Sequence, residues 1–384
     1  MTMMTELVAL DVPLSITLVK EIERCLDAGQ AFTVLDPRDS PERRRILLDA
    51  IAPTSIVTDE GRHSYPAGRQ LEAGDAAVVV TSGSTGTPKA AIFTLDALAA
   101  SASMTSRALT TGGDATWYAC LPAFHVGGLA VILRSLLGGD KLIIGSTDDV
   151  ARGPARGATH CAVVTTLLAR HDLSAYERVL VGAGPAPDVR EANVVTSWGM
   201  TETGSGVVYD GLALAGVDLA LDGEQLLVRA PTLARAYRHG PLDLTMGPDG
   251  RMDWLATGDG ASLTDGRLRV SGRLSTVINS GGEKLWPVAL ESVLHHLDSD
   301  REWVAIGESD PQWGQRLVVV TTGGGDHQAL LAQARSVLQQ RFGVAAKPKA
   351  LVVLDSIPRT ANGKVRYDAL RDAVAISPLR LTVE

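Results

Sequence analysis

Thr81-Ser82-Gly83-Ser84-Thr85-Gly86-Thr87-Pro88-Lys89 follows directly on the apolar, β-branched run Ala76-Ala77-Val78-Val79-Val80. The short run reads as a buried strand. The stretch after it passes through hydroxyls and glycines and ends on a lysine. Glycines let backbone N–H groups approach an anion, hydroxyls add donors, and the lysine adds a point charge. That is the chemistry of a loop that holds a polyphosphate. The spacing is not that of a Walker A loop, because Thr87-Pro88 separates the second glycine from the lysine.

Working outward, residues before the loop alternate between helical and extended patterns. Leu14–Leu26 has a helical rhythm, Ala31–Leu35 reads as a strand, and Pro41–Ile51 as a second helix, which together suggest α/β structure. After the loop, Thr94–Leu109 reads as a helix. Trp117–Leu121 reads as an apolar strand, closed by Pro122, with His125 beside Gly127-Gly128. In open α/β sheets ligands sit outside the carboxyl ends of strands, so this histidine is a candidate site residue. Val131–Leu137 reads as a helix stopped by Gly138-Gly139. Cys161–Leu168 and Arg178–Val181 are the next strand and turn candidates, and Gly182 and Gly184 follow the second. Gly223–Arg229 alternates like a strand. Pro287–Leu297 reads as a helix beginning at proline, with His295 and His296 at its surface. Trp303–Gly307, Leu317–Thr321 and Ala350–Leu354 are strand-like, and Gln328–Phe342 is a helix.

The chain has 384 residues, enough for two domains and a large core. A net charge of −8 argues against general nucleic-acid binding. Cys25, Cys120 and Cys161 form no CxxC pair, which suggests reduced thiols in the cytoplasm and not a disulfide framework or a zinc site. The first residues carry acids and no basic n-region, so no signal peptide is expected. No apolar run reaches the roughly 18 residues that a membrane span needs.

In order, these stretches resemble the adenylate-forming superfamily: acyl-CoA and aryl-CoA synthetases, peptide-synthetase adenylation domains and luciferases. The matching segments are the loop at 81–89, LPAFHVGG around His125, the aromatic-Gly-x-Thr-Glu pattern at Trp198-Gly199-Met200-Thr201-Glu202, and Thr257-Gly258-Asp259. Gly272-Arg273 and the terminal Pro358-Arg359-Thr360-Ala361-Asn362-Gly363-Lys364 complete the set. Ala90 stands where the family usually has glycine, Trp198 where it has Tyr or Phe, and Ser275 where its hinge carries Asp or Lys.

The resemblance implies an α/β fold with a large N-terminal domain of packed sheets and helices over residues 1–272. A small, mobile α+β lid would cover 273–384. It implies ATP, Mg²⁺, coenzyme A and a small carboxylic acid as the molecules bound. The implied chemistry is attack of the carboxylate on the α-phosphorus, then displacement of AMP by a thiol. By resemblance, Thr81, Ser82, Gly83, Ser84, Thr85, Gly86 and Lys89 hold the phosphates. Glu202 and Thr85 are implied at Mg²⁺, with the carboxylate supplying the hard oxygen that Mg²⁺ prefers.

Trp198 and Gly199 would lie at the adenine, Gly182 and Gly184 against the adenine and acyl group, and Thr201 at a phosphate. Asp259 would accept from the ribose hydroxyls, and Arg273 would reach the ribose or phosphate. His125 is implied at the acyl carboxylate, and Lys364 where negative charge develops. The overall pattern looks most like the o-succinylbenzoate–CoA ligases of menaquinone biosynthesis. Other aryl- or medium-chain acyl-CoA ligases, a stand-alone protein loading a carrier, and a non-catalytic nucleotide binder are the alternatives. A homo-oligomer is left open.

Overall fold

The computed structural model describes residues 4–81, 88–110, 115–184, 190–359 and 365–383. Ser82, Gly83, Ser84, Thr85, Gly86 and Lys364 lie outside these residues. The chain divides into two compact units. The first comprises Met1–Ala220, Leu227–Ala256 and Leu263–Leu268, and the second Leu221–Leu226, Thr257–Ser262 and Arg269–Glu384.

A seven-stranded sheet carries the opening stretch in the first unit. Its order runs Ala236–Tyr237, Lys89–Thr94, Asp75–Thr81, Ala31–Val34, Leu7–Leu10, Ser55–Thr58, Gly61–Ser64. Leu7–Leu10 and Ala31–Val34 are buried at every position, as expected of parallel strands covered on both faces. Alternate residues feed two cores. Val8, Leu10, Ala91 and Phe93 pack with Leu18 and Ile22 of the helix Ile16–Asp27. Leu7, Ala9, Ala90 and Ile92 pack with Leu47 and Ile51 of the helix Pro41–Ile51. Ser15 and Ser40 cap these helices by accepting from the backbone N–H groups of Leu18 and Arg43. The strand Asp75–Thr81 confirms the sequence reading, and Lys89–Thr94, which the sequence did not announce, pairs antiparallel to it with Thr81 opposite Lys89.

Five parallel strands of the first unit form the core of a second sheet: Lys141–Ile144, Thr116–Ala119, His160–Val164, Arg178–Gly182 and Val194–Gly199. Gly206–Tyr209 then adds antiparallel. Two sequence expectations are corrected here. Cys161–Leu168 is not one extended element, because the strand stops at Val164 and Thr165–Leu168 makes a helical turn. The helix expected over Val131–Leu137 spans Val126–Gly138 and begins immediately after His125. Gly127 and Gly128 sit in its first turn, and a Cβ at Gly128 would lie 2.2 Å from the Pro122 carbonyl oxygen.

In the second unit, Glu283–Leu285, Ile278–Ser280, Gly314–Thr322, Ala350–Leu354 and Arg380–Thr382 lie side by side, with Trp303–Asp310 also paired to Gly314–Thr322. Strand alternation again makes two layers. Ala305 and Val319 face Leu290, Leu294, Leu331 and Leu338 of the helices Pro287–Leu297 and His327–Phe342. Val304, Val318 and Val320 face Leu370 and Val374 of Tyr367–Ile376. His295 and His296 are exposed, as read from sequence. No helix among the described residues is long and apolar enough to cross a membrane. The three cysteines are buried free thiols, and burial pushes Cys25 up to about 11 and Cys120 to about 12.

Candidate active site

Lys89 opens its strand, the second of the seven-stranded sheet, beside the edge strand Ala236–Tyr237. Tyr237 pairs with Ala91, two residues along. Side chains two apart share a strand face, so Lys89 and Tyr237 are diagonal neighbours on one side of the sheet. The Lys89 Nζ lies 4.8 Å from the Tyr237 ring centroid and 3.6 Å from Asp243 Oδ2. The Tyr237 hydroxyl donates to Glu202 Oε1 at 2.8 Å. The lysine of the phosphate stretch and the carboxylate predicted to hold a metal are thus linked through one phenol ring.

Glu202 sits in the short 3-10 turn Thr201–Thr203, whose chain is tied down on both sides. The Thr203 hydroxyl donates to the Ser205 carbonyl oxygen at 2.7 Å and accepts from Met200 N–H at 2.9 Å. Ala234 N–H donates to the Glu202 carbonyl oxygen at 2.8 Å. Gly204 closes the turn at φ +73°, where a Cβ would lie 2.8 Å from the Thr232 carbonyl oxygen. The Glu202 carboxylate is 6% exposed, and its Oε2 accepts no hydrogen bond among the described residues. A buried carboxylate with one oxygen held by a neutral donor and the other open suits a hard cation. Thr201 is half-buried beside it.

Trp198 is half-buried near the end of Val194–Gly199, where the pairing with Gly206–Tyr209 shifts register between Trp198 and Gly199. A side chain at Gly199 would meet the Ser205 carbonyl oxygen at 2.2 Å. Gly182 ends Arg178–Gly182, where a Cβ would just touch Ser197 at 4.0 Å, whereas Gly184 is exposed and close to Thr165. Thr81 closes Asp75–Thr81. His125 lies at the start of its helix with its ring edge-on to Phe124, centroids 4.5 Å apart.

Asp36, which sequence reasoning did not single out, faces this corner. Burial alone would push its carboxyl up, but hydrogen bonds from Arg38 and the charges of Arg38 and His125 hold it below the usual range.

In the second unit, Asp259 is 7% exposed, and Arg273 Nε lies 3.0 Å from its Oδ1. Arg273 also donates to the Thr257 carbonyl oxygen at 2.7 Å. The Thr257 hydroxyl donates to the Leu226 carbonyl oxygen and accepts from Asp259 N–H, fixing the turn. Trp286 packs on Gly260 so closely that a Cβ there would meet the indole at 2.0 Å. A separate cleft in this unit is lined by Ser280, Trp313, Arg316, Lys347 and Lys349. The structure therefore brings Lys89 together with Glu202, and Asp259 together with Arg273.

Sequence reasoning missed Tyr237, Asp243 and Asp36. Tyr237 lies between Arg235 and Arg238 with no motif spacing to Lys89. Its only advance signal was an aromatic residue in a stretch rich in arginine.

Comparison with known proteins gives the family. Residues 12–232 match the AMP-binding enzyme family, and residues 289–364 match the AMP-binding enzyme C-terminal domain. A probable 2-succinylbenzoate–CoA ligase of Mycobacterium tuberculosis (strain CDC 1551 / Oshkosh) is 34% identical over 332 residues, covering 79% of this chain and 85% of that protein. The 2-succinylbenzoate–CoA ligase of Listeria monocytogenes serotype 4b is 29% identical over 366 residues, covering 85% and 77%. The fold is similar to that of o-succinylbenzoate CoA synthetase from Bacillus subtilis in complex with the acyl-adenylate OSB-AMP. The TM-score is 0.82 at 24% identity, over 96% of this chain and 88% of that one. The same enzyme with ATP and magnesium gives a TM-score of 0.78 at 23% identity, over 96% and 89%. With both of its family regions matched in order, the chain belongs to the AMP-binding enzyme family.

Proposed function

We infer that this chain is an AMP-forming acid–thiol ligase that converts o-succinylbenzoate to its coenzyme A thioester, a step of menaquinone synthesis. The observation that carries the reading is the 34% identity with a probable 2-succinylbenzoate–CoA ligase over most of both chains. ATP and Mg²⁺ fit the site's chemistry, with Lys89 available to phosphate and Glu202 available to the metal. Mg²⁺ bound there would offset the charge of the phosphates during transfer.

The reaction has two displacements. A substrate carboxylate oxygen attacks the α-phosphorus, the bond to the β-phosphate bridging oxygen breaks, and pyrophosphate leaves. The thiol of coenzyme A, losing its proton, then attacks the acyl carbon, and AMP departs. Catalysis is mainly positioning and charge stabilisation. Lys89 contributes a cation next to the phosphate stretch, and His125 stands at the acyl carboxylate. Asp259 accepts from the ribose hydroxyls, steadied by Arg273. Lys364 takes the developing charge on the α-phosphate. We assign residues 1–272 to the large domain and 273–384 to the lid. The enzyme is assigned to the cytoplasm.

The test is incubation of the protein with ATP, Mg²⁺, coenzyme A and a panel of acids: o-succinylbenzoate, benzoate, a medium-chain fatty acid and an amino acid. Products are read by mass. A dominant o-succinylbenzoyl-CoA peak is expected. Pyrophosphate release without any coenzyme A ester would overturn the reading in favour of carrier loading.

A further inference from the structure

We propose that Tyr237 is a positioning residue that serves two charges at once: its hydroxyl aims the Glu202 carboxylate at a divalent cation, and its ring seats Lys89 for a phosphate. The inference rests on the reading of Glu202 as a metal ligand.

Three observations carry it. The hydroxyl donates to Glu202 Oε1 at 2.8 Å, which fixes the rotation of a carboxylate whose Oε2 accepts no hydrogen bond among the described residues. Because the phenol is neutral, it orients the carboxylate without cancelling the charge that attracts a cation. The same ring lies 4.8 Å from the Lys89 Nζ. Lys89 pairs with exposed Asp243, and no ion pair joins it to buried Glu202 among the described residues. A direct Lys89–Glu202 pair would neutralise both groups; a π face gives the ammonium a weaker hold that a phosphate can outcompete.

The platform itself is tied down on both sides. Arg235 grips buried Asp75 through two nitrogens at 2.9 and 2.7 Å. Arg238 donates to the carbonyl oxygens of Ile51 and Ala52 at 2.7 and 3.0 Å. The strand that presents Tyr237 is therefore anchored at both ends, and second-sphere donors held in this way tune the ligands they touch.

The test separates hydroxyl from ring in the full-length protein. Mn²⁺ affinity is read by electron paramagnetic resonance in the presence of α,β-methylene-ATP, and affinity for the same nucleotide is measured without divalent metal. Tyr237→Phe is expected to weaken Mn²⁺ on the order of tenfold and to leave metal-free nucleotide affinity unchanged. Tyr237→Leu is expected to weaken both. Glu202→Gln is the control, and circular dichroism checks folding; should Tyr237→Leu fail to fold, Tyr237→Phe carries the test. Parental Mn²⁺ affinity in Tyr237→Phe, beside a weakened Glu202→Gln, overturns the inference alone. Equal weakening of metal-bound and metal-free binding in Tyr237→Phe also overturns it, since that marks a purely structural hydroxyl. Parental Mn²⁺ affinity in Glu202→Gln overturns the metal reading and the inference with it.

Discussion

Glu202 in the first unit and Asp259 in the second are buried to nearly the same degree, at 6% and 7% exposure, yet they are held differently. A neutral phenol donates to Glu202, and a guanidinium pairs with Asp259. A phenol leaves the negative charge in place, so the Glu202 site keeps its pull on a cation. A guanidinium cancels the charge but leaves lone pairs, so the Asp259 site suits neutral hydroxyl donors. Burial alone does not say what a carboxylate binds; the charge of its nearest donor does.

The largest effect that could break this comparison is on Glu202. Glu202→Gln keeps the shape and removes the charge. ATP–pyrophosphate exchange should fall on the order of 10²–10³-fold, the range seen when one preorganised electrostatic group is lost. A loss under about threefold would mean that the charge at this position does not matter.

A third carboxylate sharpens the contrast. Glu291, on the helix Pro287–Leu297, accepts from Ala305 N–H at 2.9 Å. Burial pushes its carboxyl from 4.5 up to about 7, against that hydrogen bond and the charge of Arg359. The unfolded chain releases this proton first as pH rises. Stability contributed by the protonated group is therefore full below the unfolded value and is lost between about pH 4.5 and 7. The loss is on the order of 3 kcal/mol. Glu291→Gln should flatten the dependence of the urea midpoint on pH across this window. A parent protein whose midpoint does not move between pH 5 and 8 would show the carboxyl to be better solvated than its burial implies.

The smallest expected effect is on Asp259. Arg273 is half exposed, so breaking the pair costs stability only about 1 kcal/mol or less. Asp259→Asn should raise the KM for ATP about tenfold, the equivalent of roughly 1.4 kcal/mol, with the denaturation midpoint nearly unchanged. A large fall in stability with an unchanged KM would reverse the assignment and make the pair structural.

Local order was largely legible. The helix Pro41–Ile51 begins and ends where Pro41 and the apolar positions put it, and Pro287–Leu297 likewise. The strand before the phosphate stretch announced itself by its β-branched run. The failures share a cause. Cys161–Leu168 carries no glycine or proline to mark a break, and such a run does not reveal where a strand gives way to a helical turn. The helix after His125 starts five residues earlier than expected, at Val126, because Gly127 and Gly128 lie inside it, and Gly128 is required there by the close approach of the Pro122 carbonyl.

The amino-acid order alone determined the family, the candidate ligands and most element types, because motifs, caps and hydrophobic periodicity act over a few residues. Only the tertiary structure decided which donors those ligands keep. Tyr237 reaches Glu202 across 35 residues of chain. Arg235 reaches Asp75 across 160, and the Lys89–Tyr237 contact depends on strand register. Such pairings follow from how sheets are ordered and which face each side chain takes, and no local pattern encodes them.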